Sequence, residues 1–237
     1  MKYDYLWEGG PEIAQTTNFK LGTDSVLLAN YIKVKSGWKG ADLGCATGAI
    51  SLILLAKNPG ITMTGIEINS EAAAVARINM ERNGLTERFS LLNDDLKNHR
   101  SVLGAGTFDF VISNPPYFSL SSGGVSPDEA RARARGEVAC TLADICECAS
   151  YLCRWGGTFA VVYKPERLPE LFETMRRFSI EPKRLRFVAH APSSPPSLCL
   201  VEGKRGGNPG LKTEAVLFLK NADGTDTEEI RKIYNRI

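Results

Sequence analysis

Short apolar runs alternate with longer stretches of helical periodicity over most of the chain. Four runs rich in β-branched and aromatic residues, at 38–43, 61–66, 89–92 and 108–113, predict buried strands. Helical patterns at 49–57, 70–83 and 140–153 follow three of them, and glycine or proline ends the first two helices. Strands that alternate with helices predict an α/β fold with a mostly parallel sheet.

The same hydrophobic patterns predict helices and strands towards both ends of the chain. After a polar lead, an apolar helix is predicted at 26–32, with Thr23 or Asp24 as its N-cap and Gly22 in the turn before it. Further strands are predicted at 158–163, 185–189, 197–202 and 215–219, and helices at 166–178 and 227–233. Neither a repeat nor a linker interrupts the pattern, so we expect residues 1–237 to form a single domain.

Composition narrows the class of protein. Hydrophobic residues make up 43% of the chain and charged residues 24%, as in ordinary soluble proteins. No stretch is apolar for about 18 residues and acids replace a signal peptide's apolar run, so we expect a cytoplasmic protein with no membrane segment. Six cysteines include no C-x-x-C pair and only two histidines are present, so we expect no metal site.

Charge is unevenly distributed. The net charge is +2, yet residues 164–212 carry ten Lys or Arg against five Glu. A basic carboxyl half is weak evidence for a polyanionic partner, because such runs also occur as solvated faces.

A glycine-rich turn follows the first of the four strands. It has the form Asp42-x-Gly44-x-x-x-Gly48, and the helix after it offers free N–H groups to an anion. The next strand ends in Glu67, where an acid can accept hydrogen bonds from both ribose hydroxyls. This pattern serves NAD and S-adenosylmethionine enzymes alike, but the absence of G-x-G-x-x-G weakens the dinucleotide interpretation.

Two further polar segments follow strands. Asp94 and Asp95 come after the third strand, where an acid could accept from an adenine amino group or cap the segment that follows. Asn114-Pro115-Pro116-Tyr117 follows the fourth strand. Proline fixes φ and lacks an N–H, so this loop is stiff and presents carbonyl oxygens.

That tetrapeptide suits a planar amine. The Asn114 side-chain oxygen and the Pro115 carbonyl could accept both hydrogens of an exocyclic NH2 group, and Tyr117 could stack on the ring that bears it. A proline-rich turn that merely ends a strand is the alternative interpretation of the same residues.

The glycine turn, Glu67 and the Asn114 tetrapeptide, in that order and spacing, resemble the signature of class I S-adenosylmethionine-dependent amino-methyltransferases. Residues 19–29, 114–118, 126–127, 134–137, 183–188 and 201–207 are similar, more narrowly, to the tRNA adenine-N6 methyltransferases that modify A37 in valine tRNA. Two positions depart from that pattern, since Ala46 replaces the middle glycine and Gly136 stands where relatives tend to have histidine.

The resemblance implies a Rossmann-like sheet of seven strands with a terminal antiparallel hairpin, S-adenosyl-L-methionine as cofactor, and tRNA as substrate of a protein expected to be monomeric. Residues 1–36 would cover the cofactor. The implied catalytic residues are Asn114, Pro115, Pro116 and Tyr117. The implied cofactor contacts are Gly44 and Gly48 at the methionine end, Glu67 at the ribose, Asp95 (with Asp94 as the alternative) at the adenine, Lys20 and Asp24 on the amino-terminal side, and Asp42 and Asn114.

Other activities remain open at this point. Protein glutamine-N5 methyltransferases use the same tetrapeptide but carry an additional helical domain, and only about 40 residues precede the first core strand here. Guanine-N2 methylation of ribosomal RNA and a catalytically inactive RNA-binding subunit are further alternatives. The basic residues Arg131, Arg133, Arg135, Lys183, Arg184, Arg186, Lys204 and Arg205 are candidate phosphate contacts.

Overall fold

A computed structural model describes residues 2–15, 21–115 and 140–236 of the chain. The strands are β1 Lys2–Tyr5, β2 Glu12–Gln15, β3 Lys39–Leu43, β4 Thr62–Ile66, β5 Phe89–Leu92, β6 Phe108–Ser113, β7 Cys153–Tyr163, β8 Ile180–Ala189, β9 Pro196–Arg205, β10 Lys212–Thr213 and β11 Leu217–Phe218. The α-helices are α1 Thr23–Tyr31, α2 Ala49–Lys57, α3 Ser70–Arg82, α4 His99–Val102, α5 Leu142–Leu152, α6 Leu168–Arg177 and α7 Glu228–Ile233. Short 3₁₀ helices lie at Thr86–Arg88, Leu96–Asn98 and Pro165–Arg167.

The central sheet has the order β10-β8-β9-β7-β6-β3-β4-β5. Strands β3 to β7 are parallel, and β9 is antiparallel to both β7 and β8. Strands β3 to β9 supply the seven strands and the antiparallel hairpin that the resemblance implies, so the predicted fold class is confirmed. Two strands of two residues each, β10 and β11, add parallel pairing along the β8 edge.

Each face of the sheet has its own hydrophobic core. Along β6, Phe110 and Ile112 pack with α1 and α2 on one face, and Val111 packs with α5 and α6 on the other. Successive residues of a strand point to opposite faces, so a continuous apolar run is what a strand covered on both sides requires. The sheet is therefore a rigid support between two helical layers.

The amino-terminal lead differs from the prediction. It forms a β-hairpin, because β1 and β2 pair antiparallel, and this hairpin lies against α3. Helix α1 begins at Thr23, three residues earlier than predicted, with Gly22 as its N-cap and no side-chain cap, so the predicted cap at Thr23 or Asp24 is wrong. Strands β8 and β9 are also longer than predicted and extend towards the amino-terminal edge of the sheet.

Candidate active site

The carboxyl ends of four parallel strands meet at one edge of the sheet. Strand β3 pairs with β4 and β6, and β4 pairs with β5, in register through their last residues. The residues that come next in the sequence therefore lie side by side. They are Gly44, Glu67, Asn93 and Asn114. Ligands of open α/β sheets bind at this edge, so the sequence-predicted site residues are brought together where a ligand is expected.

The glycine turn after β3 leaves space above the strand. Gly44 has φ +68°, and a Cβ placed on it would meet no atom within 4 Å. Its N–H donates to the Ile66 carbonyl at 2.9 Å, which fixes the turn against β4. At the other end of the turn, a Cβ on Gly48 would lie 3.1 Å from Met80 Cε, so this glycine permits close packing on α3.

Ala46 occupies a backbone region that alanine rarely adopts. Its φ is +47°, where a side chain crowds its own backbone at a cost of about 1–2 kcal/mol. The conformation points the Ala46 N–H at Glu67 Oε2, 2.8 Å away. Strain of this kind persists where surrounding contacts impose it, and here the contact is to a predicted cofactor residue.

Glu67 links the two strand tips. Its Oε1 accepts the Asn69 N–H at 2.8 Å and its Oε2 accepts the Ala46 N–H, so the carboxylate is held between the turn and the start of α3. Carboxylate oxygens can each accept more than one hydrogen bond, so these contacts leave capacity for ribose hydroxyls. Asn93 Nδ2 donates to the Glu67 carbonyl at 2.7 Å and steadies the same residue from β5.

Asp42 lies inside β3 and is fully buried. Its Oδ2 accepts a hydrogen bond from Ser51 Oγ at 2.8 Å, which ties the strand to α2. Burial raises the pKa of this carboxyl to about 7, against a smaller opposing effect of the Ser51 hydrogen bonds. Asp42 is fully buried and supports the glycine turn through Ser51, and its contact with the cofactor stays a prediction.

Asp95 caps the 3₁₀ helix that follows it. Its Oδ1 accepts the Lys97 N–H at 2.9 Å, and Oδ2 lies 3.3 Å from the Lys97 ammonium. Asp94 Oδ1 accepts from the Asp95 N–H and from Asn98 Nδ2. The capping interpretation of Asp95 is therefore correct, while its contact with adenine stays a prediction.

Asn114 is held by the first turn of α1. Its Nδ2 donates to Ser25 Oγ at 3.0 Å, across 89 residues of sequence. Within the described residues the Asn114 Oδ1 takes no hydrogen bond, so the amide presents an acceptor. Asp24 precedes Ser25 in the same turn. Pro116, Tyr117 and Lys20 lie outside the described residues, and so do Arg131, Arg133, Arg135 and Gly136.

Sequence reasoning missed two residues that support this edge. One is Ser25. The other is Asn79, fully buried in α3, which accepts the Ala14 N–H through Oδ1 at 2.6 Å and donates to the Thr47 carbonyl through Nδ2 at 2.8 Å. Asn79 thus joins the amino-terminal hairpin to the glycine turn. The bonds are long-range in sequence, so no local pattern could have indicated either residue.

Several of the residues predicted to contact phosphate form ion pairs or hydrogen bonds within the protein. Arg184 pairs with Glu202 at 2.6 Å and Glu214 at 2.8 Å, and Arg186 pairs with Glu229 at 2.6 Å. Each arginine keeps less than a fifth of its side-chain surface exposed, so the prediction that they contact phosphate is wrong. Arg205 donates to the Tyr151 and Cys153 carbonyls through one guanidinium nitrogen, and its contact with phosphate stays a prediction.

The chain is similar to known proteins both in sequence and in fold. The sequence profile of the Methyltransferase small domain family matches residues 17–125. A tRNA1(Val) (adenine(37)-N6)-methyltransferase of Yersinia enterocolitica is 32% identical over 168 residues, which cover 68% of this chain and 62% of that protein. One of Parabacteroides distasonis is 30% identical over 183 residues, covering 77% of this chain and 76% of that protein. A predicted O-methyltransferase of Agrobacterium tumefaciens shares the fold at TM-score 0.75 and 20% identity, over 90% of this chain and 96% of that one.

The strand order is that of a class I methyltransferase. The family match and the relatives at about 30% identity show that the chain is a class I S-adenosyl-L-methionine-dependent methyltransferase. Within that class, the chain belongs to the tRNA1(Val) (adenine(37)-N6)-methyltransferase family.

The site residues fit S-adenosyl-L-methionine. The space above Gly44 admits a ligand, and the Glu67 carboxylate lies beside it as the acceptor that a ribose requires. Among the described residues, no group of three or more histidine, cysteine or acidic side chains is placed to bind a metal ion. None of the helices described is both long and apolar enough to cross a bilayer.

Proposed function

We propose that this protein transfers a methyl group from S-adenosyl-L-methionine to N6 of the adenine at position 37 of valine tRNA. The observation that carries the proposal is the position of Asn114, which follows β6 directly beside the open turn after β3. The names of relatives at about 30% identity support the same acceptor. We propose that the enzyme acts as a monomer in the cytoplasm.

Asn114 and Pro115 would orient the acceptor amine. Ser25 occupies the NH2 end of the Asn114 amide, so Oδ1 is the end that faces an incoming base. Together with the Pro115 carbonyl it would accept both N6 hydrogens, fix the nitrogen and direct its lone pair. The two oxygens would then stabilise the positive charge that develops on N6. The proton can leave to water afterwards, so no strong base is needed.

The cofactor supplies an electrophilic methyl group on a sulfonium sulfur. On this proposal Gly44 and Gly48 hold its methionine end, Glu67 its ribose and Asp95 its adenine. Lys20 and Asp24 would line the amino-terminal side, and Tyr117 would stack on the acceptor base, with Pro116 keeping the loop stiff.

The test is incubation of the purified protein with labelled cofactor and unmodified valine tRNA, followed by nucleoside analysis. We expect N6-methyladenosine at position 37. Asn114→Ala should lower kcat on the order of 100-fold, because one preorganised charge-stabilising contact is lost. Asn58→Ala is the matched control. Asn58 caps the carboxyl-terminal end of α2, whereas the glycine turn of the site lies at the amino-terminal end of that helix.

Three results would contradict the proposal. N2-methylguanosine in RNA, or methylglutamine in a protein substrate, would identify a different acceptor for the same site. Wild-type turnover by Asn114→Ala would remove the assigned role of the amide. An absence of cofactor binding in calorimetry would indicate a subunit that keeps the fold without the activity.

A further inference from the structure

Trp155 is the most exposed large hydrophobic side chain in the described part of the chain, with 69% of its surface accessible. It lies near the start of β7, at the edge of the sheet opposite Asn114. Single exposed leucines or valines are common on protein surfaces, but a tryptophan exposes a large flat ring. Leaving such a ring in water is unfavourable unless a ligand covers it.

The ring is fixed in place by a glycine. A Cβ on Gly206 would lie 2.1 Å from Trp155 Cε2, so only glycine lets the chain pass under the ring. Gly206 also has φ +66°, and its N–H donates to the Ser179 carbonyl at 2.8 Å. The tryptophan therefore rests on a hydrogen-bonded turn with its outer face open to solvent. An aromatic ring held in this way loses little conformational freedom when it binds.

Three lysines lie on β9, β8 and β10, the strands that succeed one another outward from β7. Lys204 lies in β9 just before the Gly206 turn, and Lys183 Nζ donates to the Asn208 carbonyl within that turn at 3.1 Å. Lys212 follows in β10, and within the described residues none of these three lysines forms an ion pair. We call Trp155, Lys183, Lys204, Gly206 and Lys212 the Trp155 surface.

The acidic groups next to this surface are already paired. Asp109 accepts from Arg154 at 2.7 Å, and Glu181 accepts from Arg176 at 2.9 Å. Their charges are thus balanced by arginines, and the lysines keep an uncompensated positive potential. A second copy of this chain would bring the same lysines and be repelled, whereas a polyanion is attracted.

We propose that the Trp155 surface is a second tRNA contact, in which an unpaired base stacks on Trp155 and the lysines bind flanking phosphates. Aromatic stacking combined with backbone neutralisation is how proteins hold single-stranded nucleotides without reading their sequence. The edge that carries Trp155 and the edge that carries Asn114 lie at opposite ends of β6. This six-residue strand is about 16 Å long at the usual rise of a β-strand. The contact is therefore distinct from the methylation site, and a folded tRNA is large enough to reach both.

The proposal rests on tRNA being the substrate, and kinetics with two variants test it. Trp155→Ala should raise the KM for full-length valine tRNA about tenfold, since one base stack is lost, with kcat and the cofactor Kd unchanged. Trp155→Phe keeps a flat ring and should recover most of the binding. Val102→Ala is the control, because Val102 is an exposed apolar residue on α4 and lies outside this surface.

Salt dependence tests the charged part. A plot of log K for tRNA binding against log salt should have a slope that is smaller by about 1 in Lys204→Ala. This is the change expected when one phosphate contact is lost. Lys232→Ala, at a highly exposed lysine on α7, should leave that slope unchanged.

Two outcomes would overturn the proposal. One is an unchanged tRNA KM in Trp155→Ala. The other is a wild-type dimer in sedimentation that Trp155→Ala converts to monomer, which would assign the ring to self-association. A different result would contradict the proposed function alone. In that case the wild-type protein would bind tRNA through Trp155 but would form no N6-methyladenosine.

Discussion

The Asn114 amide nitrogen lies 3.0 Å from the Ser25 hydroxyl and donates a hydrogen bond to it. This contact joins the first turn of α1 to the loop after β6, so the orientation of the amide depends on a residue far away in sequence. Rotation of the amide by half a turn would exchange its acceptor for a donor. The proposed amine contact therefore requires Ser25.

Removal of that hydroxyl is the first prediction. Ser25→Ala should lower kcat on the order of tenfold, because the amide loses the contact that orients its oxygen. The cofactor Kd, measured by calorimetry, should stay the same. Ser25→Thr keeps a hydroxyl and should retain most of the activity. Equal kcat values for Ser25→Ala and wild type would show that Asn114 is oriented by something else.

Asn79 and Asn83 give a matched pair on one helix. Asn83 lies one turn after Asn79, accepts the Glu12 N–H and donates to the Glu12 carbonyl, so it holds the same hairpin without touching the glycine turn. Asn79→Asp keeps the acceptor for Ala14 and loses the donor to Thr47. We expect about tenfold weaker cofactor binding in Asn79→Asp, since the turn carbonyl loses its partner.

Asn83→Asp should instead leave the cofactor Kd at the wild-type value. Both variants should lower the free energy of unfolding in urea by about 1–3 kcal/mol, because each removes a buried or half-buried donor from its acceptor. Equal cofactor affinity in the two variants would mean that Asn79 has only a structural role.

Gly44 and Gly37 test the space above β3. Both have positive φ, and an added Cβ at either meets no atom within 4 Å, but Gly37 lies in the turn before β3, away from the site. Gly44→Ala and Gly37→Ala should each lose about 1 kcal/mol of stability through backbone strain. Only Gly44→Ala should weaken cofactor binding in calorimetry. Similar cofactor Kd values in both variants would place the cofactor elsewhere.

Asp42 predicts a pH dependence of stability. Its pKa is raised to about 7 in the folded protein, so the folded state binds a proton more tightly than the unfolded chain does. The stabilisation from this proton is complete below about pH 4 and is lost as pH rises through 7. We expect it to amount to roughly 4 kcal/mol, at about 1.4 kcal/mol per pKa unit.

Asp42→Asn isolates this contribution. Carboxylates with lowered pKa values, such as those of Glu12 and Asp226, make stability rise with pH in the acidic range. The difference in unfolding free energy between wild type and Asp42→Asn cancels them. That difference should move against the wild type as the pH rises from about 4 to about 7 in urea titrations. A constant difference would show that Asp42 does not titrate in this interval.

Local sequence signals were sufficient for the core elements. Helix α2 and strands β5 and β6 have the predicted bounds, because apolar runs and Asn58-Pro59-Gly60 mark their ends. The amino-terminal hairpin gave no such signal. Its residues form a polar lead in which no strand was predicted, and it is hydrogen-bonded to Asn79 and Asn83, more than 60 residues away.

Local sequence signals likewise indicated some residues of the site and misassigned others. The glycine turn, Glu67 and Asn114 were identified because each directly follows a recognisable strand. Arg184 was misassigned because its partners Glu202 and Glu214 lie 18 and 30 residues further along the chain and meet it only in the folded sheet. Charge along a sequence does not indicate which charges neutralise each other in three dimensions.

Five of the six cysteines are buried, and the sixth, Cys140, is half-buried. Burial raises the pKa of each thiol, to about 12 for Cys140, so almost no thiolate is present in the native protein at neutral pH. A brief pulse of an alkylating reagent would thus modify unfolded molecules and spare folded ones. The chain carries its own internal label for the unfolded population, readable by mass spectrometry without any introduced probe.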